Sequence, residues 1–501
     1  MKASKIFPFS ILIILLASIS CMEDFEDMNK DPNRLTEIDP EFLFTNAIRR
    51  TFRDNNSTLH YRFCGQYSHA AVGTRIDKKP DEYIVITSEN LYNDIFNGIY
   101  GGGIRYSNEV LRLTSEDGDF ENELRYAMAD VISVVNYGRL TDAFGDVPYF
   151  EGGWGQLGFL KPRYDSQEEI YTDLLVRLKK DIETIKNGDP ENGFPGADPI
   201  YDNDLDKWVR FANSLRFRLA MRIRHVAPTL AQTVINECMM ESFIEENDQN
   251  ATFQNYDKDD GGLYNPWFGT WEYMQFKAAE KFVEYMKSTN DPRLGVFITQ
   301  NASGEYIGMP NGLSEIPFSD WDKPNTSTFT AALVGRDVPL FLMTCAEIWF
   351  LRAEASLYGI GLSAGNENQY YQLGIRKSLE QWNIPESEII QFLDEPSATL
   401  TGTQEQQFEQ IGNQIWVAFT PNFVEAYANI RRTGYPVIPR RTEPTYLMGH
   451  TDGILPARIR YPVEEELNNS ENLKTALKRQ GINEIPNLGD VISTPVWWDV
   501  R

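Results

Sequence analysis

Residues 340–382 read LFLMTCAEIWFLRAEASLYGIGLSAGNENQYYQLGIRKSLEQW. Apolar side chains recur at steps of three and four on both sides of a glycine-rich centre, and that period belongs to a helix. The spacing predicts one helix over 340–358 and a second over 369–382, joined by a turn containing Gly359, Gly361 and Gly365. A helix pair closed by a short turn is the building unit of a helical solenoid. No sequence repeat of fixed period accompanies it, so the expected repetition is one of structure.

The same period extends outward in both directions. It appears over 41–53 (Phe42, Leu43, Ala47, Ile48, Phe52) and over 91–113, where Gly101-Gly102-Gly103 interrupts it. It returns over 121–143 and again over 168–186, which stops at Asn187-Gly188-Asp189-Pro190. Asp206 is placed to cap a long helix bearing Trp208, Val209, Ala212, Leu215, Leu219 and Ile223. The other face of that helix carries Arg210, Arg216, Arg218, Arg222 and Arg224, whose stems are expected to cover apolar surface. Residues 404–430 read as one further long helix. By contrast, 245–335 and 431–501 are rich in Gly, Pro, Asn and aromatics and read as loops with short strands at most. The expected fold is mainly α, with helix pairs (about 40–244 and 336–430) supporting an irregular, loop-rich region where recognition resides.

Composition narrows the function. The chain has 501 residues, 42% of them hydrophobic, enough to build a core without disulfides or metals. Asp and Glu number 73 against 47 Lys and Arg, a formal charge of −26 that repels phosphate backbones and argues against nucleic acid as a partner. His60, His69, His225 and His450 are scattered and show no metal-ligand spacing.

The first residues address the protein. Lys2 and Lys5 precede the apolar run Ile11–Leu16, the small residues Ala17-Ser18-Ile19-Ser20, and then Cys21. Basic, apolar and small segments in that order make a secretory signal over 1–20. A cysteine immediately after it resembles a bacterial lipidation site, although Ser18 stands where such a motif ordinarily has Leu. Lipidated Cys21 would be the membrane anchor, followed by an acidic, turn-rich tether over 21–39 and a single body over 40–501. Cys64, Cys238 and Cys345 are read as small apolar core residues.

Motifs that imitate catalysis fail their context. Gly153-Trp154-Gly155-Gln156-Leu157-Gly158 has dinucleotide-loop spacing, but Pro162 follows and no helix opens there. Gly361-Leu362-Ser363-Ala364-Gly365 has nucleophile-elbow spacing, but a helix precedes it where a strand is required. Asp257, Asp259 and Asp260, like Asp202, Asp204 and Asp206, hint at calcium-loop alternation without its glycine and closing glutamate. No cofactor is called for, calcium has no support, and no enzyme is read from the residues.

Several segments, taken in order, resemble the SusD/RagB family of nutrient-binding outer-membrane lipoproteins, in its SusD-like branch. They are Asp31-Pro32-Asn33, RLTDAFGDVPY (139–149), KWVRFANSLRFRLAMR (207–222), NDPRL (290–294), MTCAEIWFLRAEA (343–355), RTGYP (432–436) and PARIRYP (456–462). The resemblance implies tetratricopeptide-like helix pairs, a position on the outer membrane facing the cell exterior, and a partner. That partner is a TonB-dependent barrel transporter (SusC-like), to which a captured oligomer, most simply an oligosaccharide, is delivered without catalysis. It further implies an aromatic platform near the start of an early helix, where Phe96 replaces the more usual Trp. Tyr264, Trp267, Trp271 and Trp321 are the other platform candidates, because sugar C–H faces pack on aromatic rings. Peptide uptake by the same architecture is the alternative that Phe96 favours, and a surface glycoside hydrolase is a more distant one. Glu347, Arg352 and Glu354 are read as a structural ion network, and Trp497 and Trp498 as covering the base of the fold.

Overall fold

The computed structural model describes residues 39–500, apart from 54–55, 75–77, 87–89, 258–263, 270–275, 315–324, 363 and 484–487. Its principal helices are α1 (Pro40–Arg53), α2 (Leu91–Ile99), α3 (Arg105–Thr114), α4 (Glu123–Phe144), α5 (Gln167–Lys186), α6 (Leu205–Arg222) and α7 (Pro228–Cys238). They continue with α8 (Glu280–Ser288), α9 (Cys345–Tyr358), α10 (Glu367–Gln381), α11 (Gln404–Ala418) and α12 (Phe423–Thr433). Successive helices pack on one another from α3 to α7, while α9 packs on both α10 and α11, and α11 on α12. Contact between α6 and α9 joins the two stacks. The mainly α architecture expected from the periodicity is what the chain adopts.

Local chemistry sets the helix ends. Ser166 and Glu169 form a reciprocal capping box at the start of α5. The cap of α6 is Asp204, whose side chain accepts from the Lys207 N–H. Asp206, expected in that role, lies inside the first turn and pairs with Arg210 at 2.7 Å. Residues 340–343 are a strand and not the first turn of a helix. They pair antiparallel with Ala251–Phe253, setting Phe341 opposite Thr252. Helix α9 begins only after Thr344, which caps it through the Glu347 N–H, and Gly359 in the left-handed region ends it. The 404–430 stretch is two helices, because Pro421 has no N–H to continue α11. The loop-rich regions also hold more helix than expected: α8 in the first, and Val463–Asn468, Ser470–Arg479 and Leu488–Ser493 in the second.

Gly103 explains the interruption between α2 and α3. A Cβ there would lie 2.2 Å from the Asn136 side chain on α4, so only glycine allows the chain to cross so closely. Cys64, Cys238 and Cys345 are buried thiols, as read from their surroundings.

Apart from half-buried Arg210, the arginines read on one face of α6 do not snorkel. Arg216, Arg218 and Arg222, with Arg224 just beyond the helix, are all buried, and each meets a carboxylate. Arg218 pairs with Glu347 of α9 and Glu425 of α12; Arg222 pairs with Asp142 of α4 and Glu425. Arg224 and Arg432 clasp Glu354 from two sides, with Arg224 Nε 2.7 Å from Oε1. Thus Glu347 and Glu354 do serve structure, but through partners on other helices, while Arg352 pairs with Glu245 at 2.6 Å. Burial alone would push the Glu425 carboxyl up; Arg218, Arg222 and Arg139 outweigh it and hold the group at about 2. Trp498 is buried and its indole N–H donates to Asp142 at 2.8 Å, tying the C-terminal segment to the same network.

Candidate functional site

Three elements meet at an arginine-lined concavity. The last turn of α1 supplies Arg50 and Arg53, three residues apart and hence on one face. The last turn of α2 supplies Gly98, the bend after it Gly101 and Gly102, and the start of α3 Arg105 and Tyr106. Together these seven residues enclose about 530 Å³, and among the described residues no carboxylate lines the space. The glycines keep its floor low: nothing lies within 4 Å of a Cβ built at Gly101, and one at Gly102 would rest 3.6 Å from the Arg50 stem.

Its walls differ in rigidity. Arg53 is buried, and its Nη1 donates to Asn255 Oδ1 at 3.1 Å, while Asn255 Nδ2 in turn donates to the Val338 carbonyl at 2.6 Å. Arg50 is half-buried with its guanidinium carbon 6.0 Å from the centre of the half-buried Tyr106 ring. Arg105 is exposed. The Arg53 guanidinium is pushed below the usual arginine range, first by burial and then by the charge of Arg49, with Tyr264 opposing. Three guanidiniums thus line one concavity on a chain that is acidic overall.

A larger groove of about 850 Å³ opens between α8, α11 and residues 436–446. Its rim carries Glu280, Glu284 and Glu409, and its arginines are already engaged. Arg441 lies 3.7 Å over the Tyr83 ring and donates to the Asp81 carbonyl at 2.7 Å; Arg440 pairs with Asp452. The Trp416 indole on its wall is fully buried and donates to the Ser68 carbonyl at 2.9 Å. Of its rings, Tyr285 packs edge-on against that indole.

The expected platform residues are dispersed. Phe96 is only 3% exposed, edge-on to Phe144 with centroids 5.2 Å apart, so the expectation that its face meets a ligand is corrected. Trp267, at 2% exposure, is likewise corrected: it is wedged between Tyr61 and Phe423. Both are apolar rings on the inner side of their elements, and burial there outweighs exposure to water. Tyr264 is half-buried beneath Arg336, whose guanidinium carbon is 4.8 Å from its centroid, and it lies near enough to Arg53 to influence its charge. Trp271, Trp321 and the lipidation candidate Cys21 lie outside the described residues. Sequence reading missed Arg50, Arg53, Arg105 and Tyr106. Its available signals were the triple glycine and an arginine pair three residues apart at a helix end.

The model of the SusD-like family described as starch-binding, associating with the outer membrane, matches residues 32–462. Among solved structures, a chitin-binding SusD homologue from Flavobacterium johnsoniae is 23% identical, with a TM-score of 0.79 over 92% of this chain and 99% of the other. A SusD homologue from Bacteroides uniformis is 26% identical, with a TM-score of 0.77 over 92% and 99% of the two chains. No curated protein matches the chain.

Proposed function

Because the chain belongs to the SusD-like family of starch-binding proteins associating with the outer membrane, we propose that it captures an oligosaccharide at the cell surface and passes it, unchanged, to a TonB-dependent barrel transporter. The concavity beside α1 and α3 is the capture site in this reading. The family match over 32–462 carries the proposal, and the position of the concavity supports it. It lies beside the segment that follows Phe96, the position at which the family resemblance implied a ligand-contacting ring. Tyr106 offers a ring face for a sugar, and guanidinium donors beside it can meet hydroxyl oxygens. Anchorage through Cys21 would keep the protein beside its transporter at high effective concentration. No helix among the described residues is long and apolar enough to cross a membrane, which agrees with that mode of attachment.

Calorimetric titration of the mature chain with a panel of oligosaccharides tests the reading. At least one glycan should bind, and Tyr106→Ala should weaken it roughly tenfold, the loss of about one aromatic contact. Binding of peptides with no glycan bound would move the protein to peptide uptake. The anchor is tested separately: Cys21→Ser should abolish metabolic labelling by a fatty-acid analogue and release the chain from the membrane fraction.

A further inference from the structure

Resting on the glycan reading above, we propose that the larger groove between α8, α11 and residues 436–446 is a second saccharide site, and that it takes an oligomer whose sugars carry free amines. The groove encloses about 850 Å³. Glu280 and Glu284 line it from α8, Glu409 and Asn413 from α11, each pair four residues apart and hence on one helix face, and Glu443 lies in the third wall. Glu284 has a partner in Lys287 at 2.8 Å, whereas Glu280, Glu409 and Glu443 make no ion pair or side-chain hydrogen bond among the described residues. Burial first, and then the charge of Glu284, raises the Glu280 carboxyl above its ordinary range. The cations of the groove leave these charges unanswered. Arg440 and Arg441 are held by Asp452 and by the Asp81 carbonyl, and Lys281 feels Glu409 without reaching ion-pair distance. A separate observation is Asn413 Oδ1, an amide oxygen on the same wall that is buried and accepts no hydrogen bond. A buried acceptor left unpaired is costly, and an ammonium or hydroxyl of a ligand would satisfy it.

The layout of the groove selects the ligand. Among the described residues no three acidic, His or Cys side chains converge closely enough to hold one metal ion, so the carboxylates here are spread along the walls. Charges set at intervals suit an oligomer with a cation on successive units, and each ammonium brings three donors. Tyr285 and Tyr446 are half-buried in the same walls and offer ring faces to sugar C–H groups. A basic peptide in extended form would gain most from a sheet edge on which to pair its backbone, and no described strand lines the groove. An amino sugar needs no such edge, because each ring carries its own charge, hydroxyls and apolar face.

The test titrates the mature chain with hexamers of glucosamine and of N-acetylglucosamine at mildly acidic pH, where the first carries cations and the second is neutral. The glucosamine hexamer should bind about tenfold more tightly or better, and the difference should shrink as added salt screens the charges. The double variant Glu280→Gln, Glu409→Gln should abolish that preference, and the exposed charge reversal Glu443→Lys should reduce it severalfold, with thermal melting reporting an intact fold for each. Tyr106→Ala, at the concavity, should leave the preference unchanged. Equal binding of the two hexamers, unaltered in the groove variants, would overturn the assignment of an amine. A preference lost in Tyr106→Ala and kept in the groove variants would move the amine to the concavity and overturn the groove as its site. Hexalysine binding that the groove variants weaken, with the glucosamine hexamer silent, would make the groove a basic-peptide site instead. If neither hexamer binds while another glycan does, this proposal falls and glycan capture stands; if no glycan binds, both fall.

Discussion

At position 96 a phenyl ring stands edge-on to Phe144 and 4.9 Å from Tyr100, buried with the inner face of α2. Its contribution is to packing. Phe96→Ala should destabilise the fold by about 3–5 kcal/mol in chemical denaturation. At a temperature where the variant remains folded, its glycan affinity should change far less than that of Tyr106→Ala. Single residues were the least legible feature of the sequence. An aromatic residue on a helix is compatible with either face until the register of that helix against its neighbours is known. Trp267 illustrates this: glycines and prolines around it read as an exposed loop, yet residues 266–269 form a short helical turn that drives the indole between Tyr61 and Phe423. The site residues Arg50 and Arg105 are 55 positions apart and carry no pattern of their own. Only the crossing of α1 and α3 brings them together.

Whole elements were far more legible, because amphipathic periodicity reports on a dozen or more residues at once. The helices around 41–53, 121–143 and 168–186 lie within two residues of their expected bounds. The errors fell where one residue overrides a pattern. Pro421 divides 404–430, and the Thr344 cap starts α9 at Cys345, five residues later than its hydrophobic run, releasing Leu340–Met343 to pair as a strand. The α9–α10 pair that anchored the sequence reading holds together through a close approach at Gly374, where a Cβ would lie 2.8 Å from the Phe350 ring. Gly374→Val should force the two helices apart and cost about 1–3 kcal/mol, read as a lower denaturant midpoint with unchanged slope.

On the scale of the molecule, the two stacks are joined by desolvated charge. Glu425 on α12 is ionised down to about pH 2, below the ordinary 4.5 of a glutamate, because Arg218, Arg222 and Arg139 more than offset its burial. A carboxyl depressed in the folded state stabilises the fold fully above pH 4.5, and that contribution is lost as pH falls toward 2. The shift corresponds to something on the order of 3 kcal/mol. Glu425→Gln should therefore destabilise the protein by about 3–5 kcal/mol at neutral pH, since two buried guanidiniums lose a counter-charge. Its stability should also fall less steeply than that of the parent between pH 4.5 and 2, measured by denaturant titration at each pH.

The same network has a consequence for how the chain can be divided. Arg218 and Arg222 belong to the first stack, while Glu347 and Glu425 belong to the second. A fragment ending near residue 244 would carry cations whose counter-ions were left on the missing piece, and those cations would draw water into the heart of α6. Neither half is a module that evolution or an engineer could excise and expect to stand alone. On this ground insertions are expected to be tolerated at the outer turns, and the two halves to melt in a single transition.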